Sequence, residues 1–309
     1  MSVSVASRQN WIVYGKLSLT MILWGIAWPV GRLLATGLPP ISIAVIRYAI
    51  VVPAFFLILW IRERSIKISK EWVSTFVGLG ILNTSLYQLF FLFGVKYAAA
   101  SDDSLVIGVG PVLVAVLASV IIKEPLTRLK IVGLLCGITG VGLIALLSPN
   151  VNVSNRLLGV SLVFGGAVVY ALYTVFLRRF INRNSEALPQ RPKPSSLAII
   201  TWISLFGWIF LIPFSILEAP WTYPWDRTSW AGILYLALLS TVVGYFFYVE
   251  GVSQIGATRA SIFSNLVPVF GVLSSFLLLG ENISIWHGAS FLLVFGGVAL
   301  ANRTGWKRH

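Results

Sequence analysis

"SIFSNLVPVFGVLSSFLLLGE", residues 261–281, is long and apolar enough to cross a bilayer, yet it carries an asparagine, a proline and a terminal glutamate. A second stretch, "SLVIGVGPVLVAVLASVIIKE", lies 157 residues upstream at positions 104–124. Both begin with serine (Ser104, Ser261), place proline seven residues on (Pro111, Pro268) and end in glutamate (Glu124, Glu281). The same shift, without a gap, pairs Thr84 with Thr241, Phe90 with Phe247, Ala100 with Ala257 and Gly140 with Gly297. Chance likeness between Leu- and Val-rich helices accounts for matched apolar positions. Coincident Pro, Gly, Ser and Glu point instead to an internal repeat.

Composition fixes the class. Of 309 residues, 57% are hydrophobic and 11% charged, with a mean hydropathy of +0.88. Soluble domains carry about 25% charged residues, so this is an integral membrane protein with the lipid bilayer as its partner. Ten runs have spanning length: 17–36, 40–60, 73–95, 99–122, 129–147, 157–178, 196–217, 229–250, 259–279 and 284–302. The expected fold is all-α, with ten transmembrane helices in two five-helix repeats, residues 1–150 and 151–309. The polar run 182–196 reads as a linker between spans six and seven. The single cysteine, Cys136, excludes an intrachain disulfide and reads as a small packing residue.

The net charge of +13 would suit nucleic acid, but its distribution says otherwise. With the N-terminus inside, eighteen Lys and Arg fall in cytoplasmic segments and three (Lys96, Arg156, Arg227) outside. Arg32 and Arg47 lie within spans. That bias orients a multi-pass protein of the cytoplasmic (inner) membrane with both termini cytoplasmic, and no nucleic-acid partner is expected. The first span follows Arg8 and Lys16 as a signal peptide would, but it is long, holds Trp24 and Trp28, and has a repeat mate. It reads as a retained helix.

Five spans per repeat is an odd number, so the second copy enters the membrane upside down. Inverted repeats are a transporter signature, with the ligand near the midplane between the copies. Pro111 and Pro268 fall near the centres of their helices, where proline removes a hydrogen bond and permits a bend. Such a bend serves either gating or packing. Glu124 and Glu281 end helices against the macrodipole, which calls for a specific partner such as the N-terminus of the following helix.

The stretch "NLVPVFGVLSSFLLLGE" (265–281), preceded by "GVSQIGATRAS" (251–261), resembles the ninth-helix region of EamA-type drug/metabolite transporters. "GVGPVLVAVLASVIIKE" (108–124) is similar to the family's fourth helix and "WGIAWPVGR" (24–32) to its first. The resemblance covers essentially the whole chain. It implies a ten-helix carrier that exports amino acids or related metabolites, with cargo differing widely among members.

Counting inward from the span boundaries brings a polar and aromatic set to similar depth. Spans one and three supply Trp24, Trp28, Asn83, Tyr87 and Gln88. Spans four and six supply Ser104, Tyr170 and Tyr173, and spans eight and nine Tyr245 and Asn265. Singly, each could be glue between helices; drawn from both repeats, they favour a shared cavity for a small amphipathic solute. Arg47, about seven residues into span two, could snorkel, bond to carbonyls or attract a substrate carboxylate. Arg32, near a span end, reads as snorkelling. Asp102, Asp103 and Glu250 sit at span ends where water can solvate them, Glu250 being the best candidate for proton coupling.

No metalloprotease, hydrolase or phosphate-loop motif is present, so no enzyme, metal or cofactor is expected. The expected function is alternating-access export of amino acids or similar metabolites. Alternatives are drug efflux on the same fold, or a passive channel, for which no acidic ring or filter repeat is evident.

Overall fold

A computed structural model describes the backbone of residues 2–149, 153–187, 194–256, 260 and 263–302, and side chains over 11–149, 153–181, 194–256, 260 and 263–301. Ser261, Ala257, Arg191, Lys193, Arg259 and the C-terminal basic residues lie outside these, and of Arg8 and Arg183 only the backbone is described; of the 182–196 run expected as a linker, 182–187 continue the helix that begins at Arg156 and 188–193 lie outside. Among the described residues the fold is carried by the helices α1 (Ser2–Gly37), α2 (Pro40–Glu63), α3 (Lys70–Tyr97), α4 (Ala100–Ile121) and α5 (Arg128–Leu147). They continue with α6 (Arg156–Ala187), α7 (Ser196–Leu217), α8 (Arg227–Ile255), α9 (Leu266–Leu279) and α10 (Ile285–Asn302). Eight of these, α1 to α8, are long and apolar enough to cross a membrane, while Leu266–Leu279 and Ile285–Ala301 are shorter apolar helices.

Local chemistry explains the helix boundaries. Pro40 opens α2, where a missing N–H costs nothing. The side chains of Thr127, Ser195 and Asp226 accept backbone N–H groups at the starts of α5, α7 and α8. Gly280, at φ 65°, ends α9 in the left-handed conformation that glycine adopts without strain.

Packing follows the 157-residue shift. α1 packs on α9 and α8, and its counterpart α6 packs on α4 and α3; α2 meets α7, and α5 meets α10. A Cβ on Gly133 or on Gly297 would lie 2.5 Å from the other's carbonyl oxygen, so α5 and α10 touch backbone to backbone. The shift maps this contact onto Gly140 against Ser290, where the distance is 3.1 Å. Large apolar side chains such as Leu146, Leu217, Leu277 and Leu292 face outward, as lipid requires.

Four spans depart from α geometry, at matching places. α3 contains a π-helical segment at Ile81–Leu86 and α8 one at Tyr235–Val243, which the shift superposes on its second part. α4 tightens to a 3₁₀ turn at Ile107–Val109, and the chain turns at Asn265 just before α9. The breaks therefore lie upstream of Pro111 and Pro268, and each proline opens the following helical piece. The two breaks face one another: a Cβ on Gly108 would sit 3.3 Å from the Pro268 ring.

Several charged residues stand differently from their sequence reading. Arg32 does not snorkel: its guanidinium donates to the carbonyls of Val95 and Ala98, and its Nε lies 3.4 Å from Glu281. Asp102 and Asp103 are fully buried rather than solvated, because α1, α6, α9 and α10 close over the first turn of α4. Glu250 is held by Lys16 at 2.9 Å, so its charge is already answered. Glu281 has the helix N-terminus its position called for, but that of α4, not of the following helix: it accepts from Ala100 N (2.9 Å), Ser101 N (2.8 Å) and Ser101 Oγ (2.6 Å). Glu218, ending α7, caps α2 likewise through Ile41 N, Ser42 N and Ser42 Oγ. At the opposite end Glu124 pairs with Arg178 at 2.8 Å and Lys130 at 3.7 Å.

Candidate substrate site

Arg47 is the centre of the site. It follows Pro40 by two turns on α2, and only 6% of it is accessible. Its Nε and Nη2 donate to Thr241 Oγ1 at 3.1 and 2.6 Å, and its Nη1 donates to Gln88 Oε1 at 3.0 Å. Gln88 Nε2 donates in turn to the Tyr48 hydroxyl at 3.3 Å. Thr241 can receive the guanidinium because the π-helical segment turns its hydroxyl back onto the Leu236 carbonyl, five residues earlier, at 2.7 Å.

These bonds use three of the five guanidinium N–H groups. Among the described residues no carboxylate lies within ion-pair distance of Arg47. A buried cation without a counter-charge is costly, and neutral amide and hydroxyl partners offset only part of that cost. Two guanidinium N–H groups are left over from these bonds.

The duplication is broken here. The shift maps Thr241 onto Thr84, which is buried beside Tyr48. It maps Arg47 onto Ser204, which is also buried. One half of the site is therefore cationic and the other neutral.

Tyrosines surround the cation. Tyr48, Tyr87 and Tyr245 are electrostatic neighbours of Arg47, and Tyr245 has Tyr48, Tyr87, Tyr170 and Tyr173 as neighbours. The Tyr87 and Tyr170 rings lie 5.7 Å apart and those of Tyr170 and Tyr173 6.0 Å apart. Trp24 lies 5.4 Å from the Tyr245 ring and donates its indole N–H to the Ser240 carbonyl at 2.9 Å. Tyr87, Tyr173 and Tyr245 are half-buried and Tyr170 is 38% exposed, with Tyr173 and Tyr245 packed against the core that holds Tyr48.

Of the residues singled out in the sequence, the structure thus brings together Trp24, Arg47, Tyr87, Gln88, Tyr170, Tyr173 and Tyr245. It sets others apart. Trp28 is buried edge-on against Phe91 at 5.0 Å and belongs to the core. Ser104 donates to the Ser101 carbonyl and packs on Gly271. Asn83 is buried within the π-helical segment of α3, and Asn265 is half-buried at the turn before α9. Tyr48 went unread although it adjoins Arg47, because a lone hydroxyl in an apolar run carries no periodic signal. Thr241 was visible as the repeat mate of Thr84 and by its midplane depth on span eight.

Comparison with known proteins agrees with this architecture. The sequence profile of the EamA-like transporter family matches twice, at residues 11–146 and 157–303. The chain is 25% identical over 292 residues to the uncharacterized transporter YetK of Bacillus subtilis, covering 92% of this chain and 85% of that one. It is 26% identical over 289 residues to a probable amino-acid metabolite efflux pump of Salmonella typhimurium, covering 91% of each. A crystal structure superposes with a TM-score of 0.64 at 18% identity, over 94% of this chain and 96% of that one, a likeness of fold.

Proposed function

The chain belongs to the EamA-like transporter family, and we propose that it exports amino acids or related small carboxylate-bearing metabolites from the cytoplasm by alternating access. In this reading ten helices span the inner membrane with both termini cytoplasmic, and residues 1–150 and 151–309 form two repeats of opposite orientation. The paired helix contacts and the two separate profile matches support that division. Two half-transporters of one fold can exchange conformations, which opens a central site to either side in turn.

The observation that carries the reading is Arg47. Its unpaired buried charge attracts a carboxylate, the tyrosines and Trp24 supply stacking surface, and Gln88 and Thr241 hold the guanidinium in place. The breaks before Pro111 and Pro268 supply the joints by which α4 and α9 would bend as the sides exchange. The relative named as an amino-acid metabolite efflux pump points to the same cargo class.

Reconstitution in liposomes tests it. Wild type should show saturable counterflow of at least one amino acid, competitively inhibited by others. Arg47→Gln should weaken binding by about 1.5–3 kcal/mol, the worth of a hydrogen bond to a charged group, or roughly 10- to 100-fold. Arg47→Lys should recover only part of this, because an ammonium lacks the bidentate fork. Flux linear in concentration and without competition would identify a pore instead. Saturable transport of cationic or neutral drugs, indifferent to Arg47, would identify drug efflux.

A further inference from the structure

We infer that Asp103 is a proton-binding site built into the closed end of α4, where it holds one proton while that end of the bundle is sealed. Asp103 is fully inaccessible, and neither carboxyl oxygen has a hydrogen-bond partner. An ionised carboxylate cannot persist in that state, since nothing replaces the water it has lost.

The surrounding groups are engaged mainly by the other two acids. Asp103's electrostatic neighbours are Asp102 on its own helix, Arg32 from α1 and Glu281 from the end of α9. α6 adds Arg156, 3.8 Å from Asp102, and α10 adds His287, whose Nε2 is 3.1 Å from Asp102. α3 contributes no titratable neighbour to Asp103. His287 Nδ1 accepts the Ser284 N–H at 3.2 Å. Two arginines and His287 thus stand among three acids. Glu281 has Arg32 and the N-terminus of α4; Asp102 has Arg156, His287 and the Ser148 hydroxyl at 2.7 Å. Asp103 is the acid of the three whose two carboxyl oxygens both lack a hydrogen bond, and a proton is what lets it stay buried.

The proton has one route. When the Glu281–Ser101 contact parts, water reaches the first turn of α4, and the Asp103 carboxyl gives its proton to that water, leaving a hydrated carboxylate. Closure takes one proton back from the same solution. On the alternating-access reading above, that solution is external, and acid outside favours the outward-closed state. The proton site itself stands without that reading.

The chain has only three aspartates, Asp102, Asp103 and Asp226, which makes a direct observation possible. Wild-type protein labelled with ¹³C-aspartate should show a protonated carboxyl infrared band at neutral pH, and Asp103→Asn should abolish it. Asp103→Asn should also flatten the decline in thermal stability that wild type shows as pH rises from about 5 to about 9. Absence of the band in folded wild type, or its persistence in Asp103→Asn, overturns the proposal. If Asp103→Asn fails to fold, Asp102→Asn replaces it and should leave the band in place; loss of the band there overturns the proposal. The link to opening is read separately, with a cysteine at Ser104 in a Cys136→Ala background. External labelling should rise with pH in the wild-type context and stay low with Asp103→Asn. An equal rise in both would remove the link while leaving the proton site intact.

Discussion

Glu281 and Ser101, 180 residues apart in sequence, are joined by two hydrogen bonds: the Ser101 backbone N–H and hydroxyl both donate to Glu281 Oε2, at 2.8 and 2.6 Å. The carboxylate that ends one helix thereby caps the start of another from the opposite repeat. An unfavourable charge at a helix C-terminus becomes a favourable one at an N-terminus. Glu281→Gln keeps the shape and loses the charge. It should lower stability by about 1–3 kcal/mol, read as a fall in melting temperature in detergent. Glu218→Gln should do the same through Ser42, whereas Glu124→Gln, in a partly exposed ion pair, should cost about 1 kcal/mol or less.

The tryptophan pair on α1 should separate in function although it shares a helix face. Trp28→Ala opens a cavity in the core beside Phe91 and should cost about 3–5 kcal/mol of stability. Trp24→Ala, at the edge of the tyrosine cluster, should weaken substrate binding by about tenfold, the measure of one lost contact worth ~1.4 kcal/mol. Denaturation and binding titrations on both variants check the split. Equal effects on affinity with no difference in stability would place Trp28 in the site.

Backbone contact between α5 and α10 makes a sharp steric test. Gly133→Ala should destabilise by about 1–3 kcal/mol, because its methyl would meet the Gly297 carbonyl and neither backbone can yield freely. Gly142→Ala, on the same helix with nothing within 4 Å, should be neutral or gain up to about 1 kcal/mol from helix propensity. A comparison of melting temperatures suffices.

Topology is tested at two asparagines outside the described side chains. In a Cys136→Ala background, a cysteine at Asn184 should label only from the cytoplasmic side and one at Asn152 only from the other. Labelling of both from one face would remove the ten-span, inverted arrangement.

The spans were legible because hydrophobic runs of membrane length are unambiguous, and the duplication because Pro, Gly and Glu resist exchange. Helix partners were not. The glutamates announced that they needed a donor, but α4 lies next to the end of α9 only through long-range packing, which local sequence does not encode. Asp102 and Asp103 were misread for the same reason. Proximity to a span boundary suggests water, and only the neighbouring helices decide whether water arrives. Arg47 and most of the tyrosines, chosen by depth, lie together in the structure, while Trp28 and Ser104, chosen on the same criterion, pack elsewhere. Depth fixes a residue's level in the bundle and says nothing of which way it points.

A π turn holds one residue more than an α turn, and an α-helix advances about 100° per residue. The surplus residue in α3 and in α8 therefore rotates everything beyond it relative to an unbroken helix. Each is a dislocation in an otherwise regular rod, and a dislocation can be moved. If the surplus migrated by one turn along α8, the Thr241 hydroxyl would swing away from Arg47 while the helix ends stayed anchored. A deletion of one residue within Tyr235–Val243 would freeze that freedom, leaving a straighter helix with Thr241 permanently out of phase with the guanidinium it now receives.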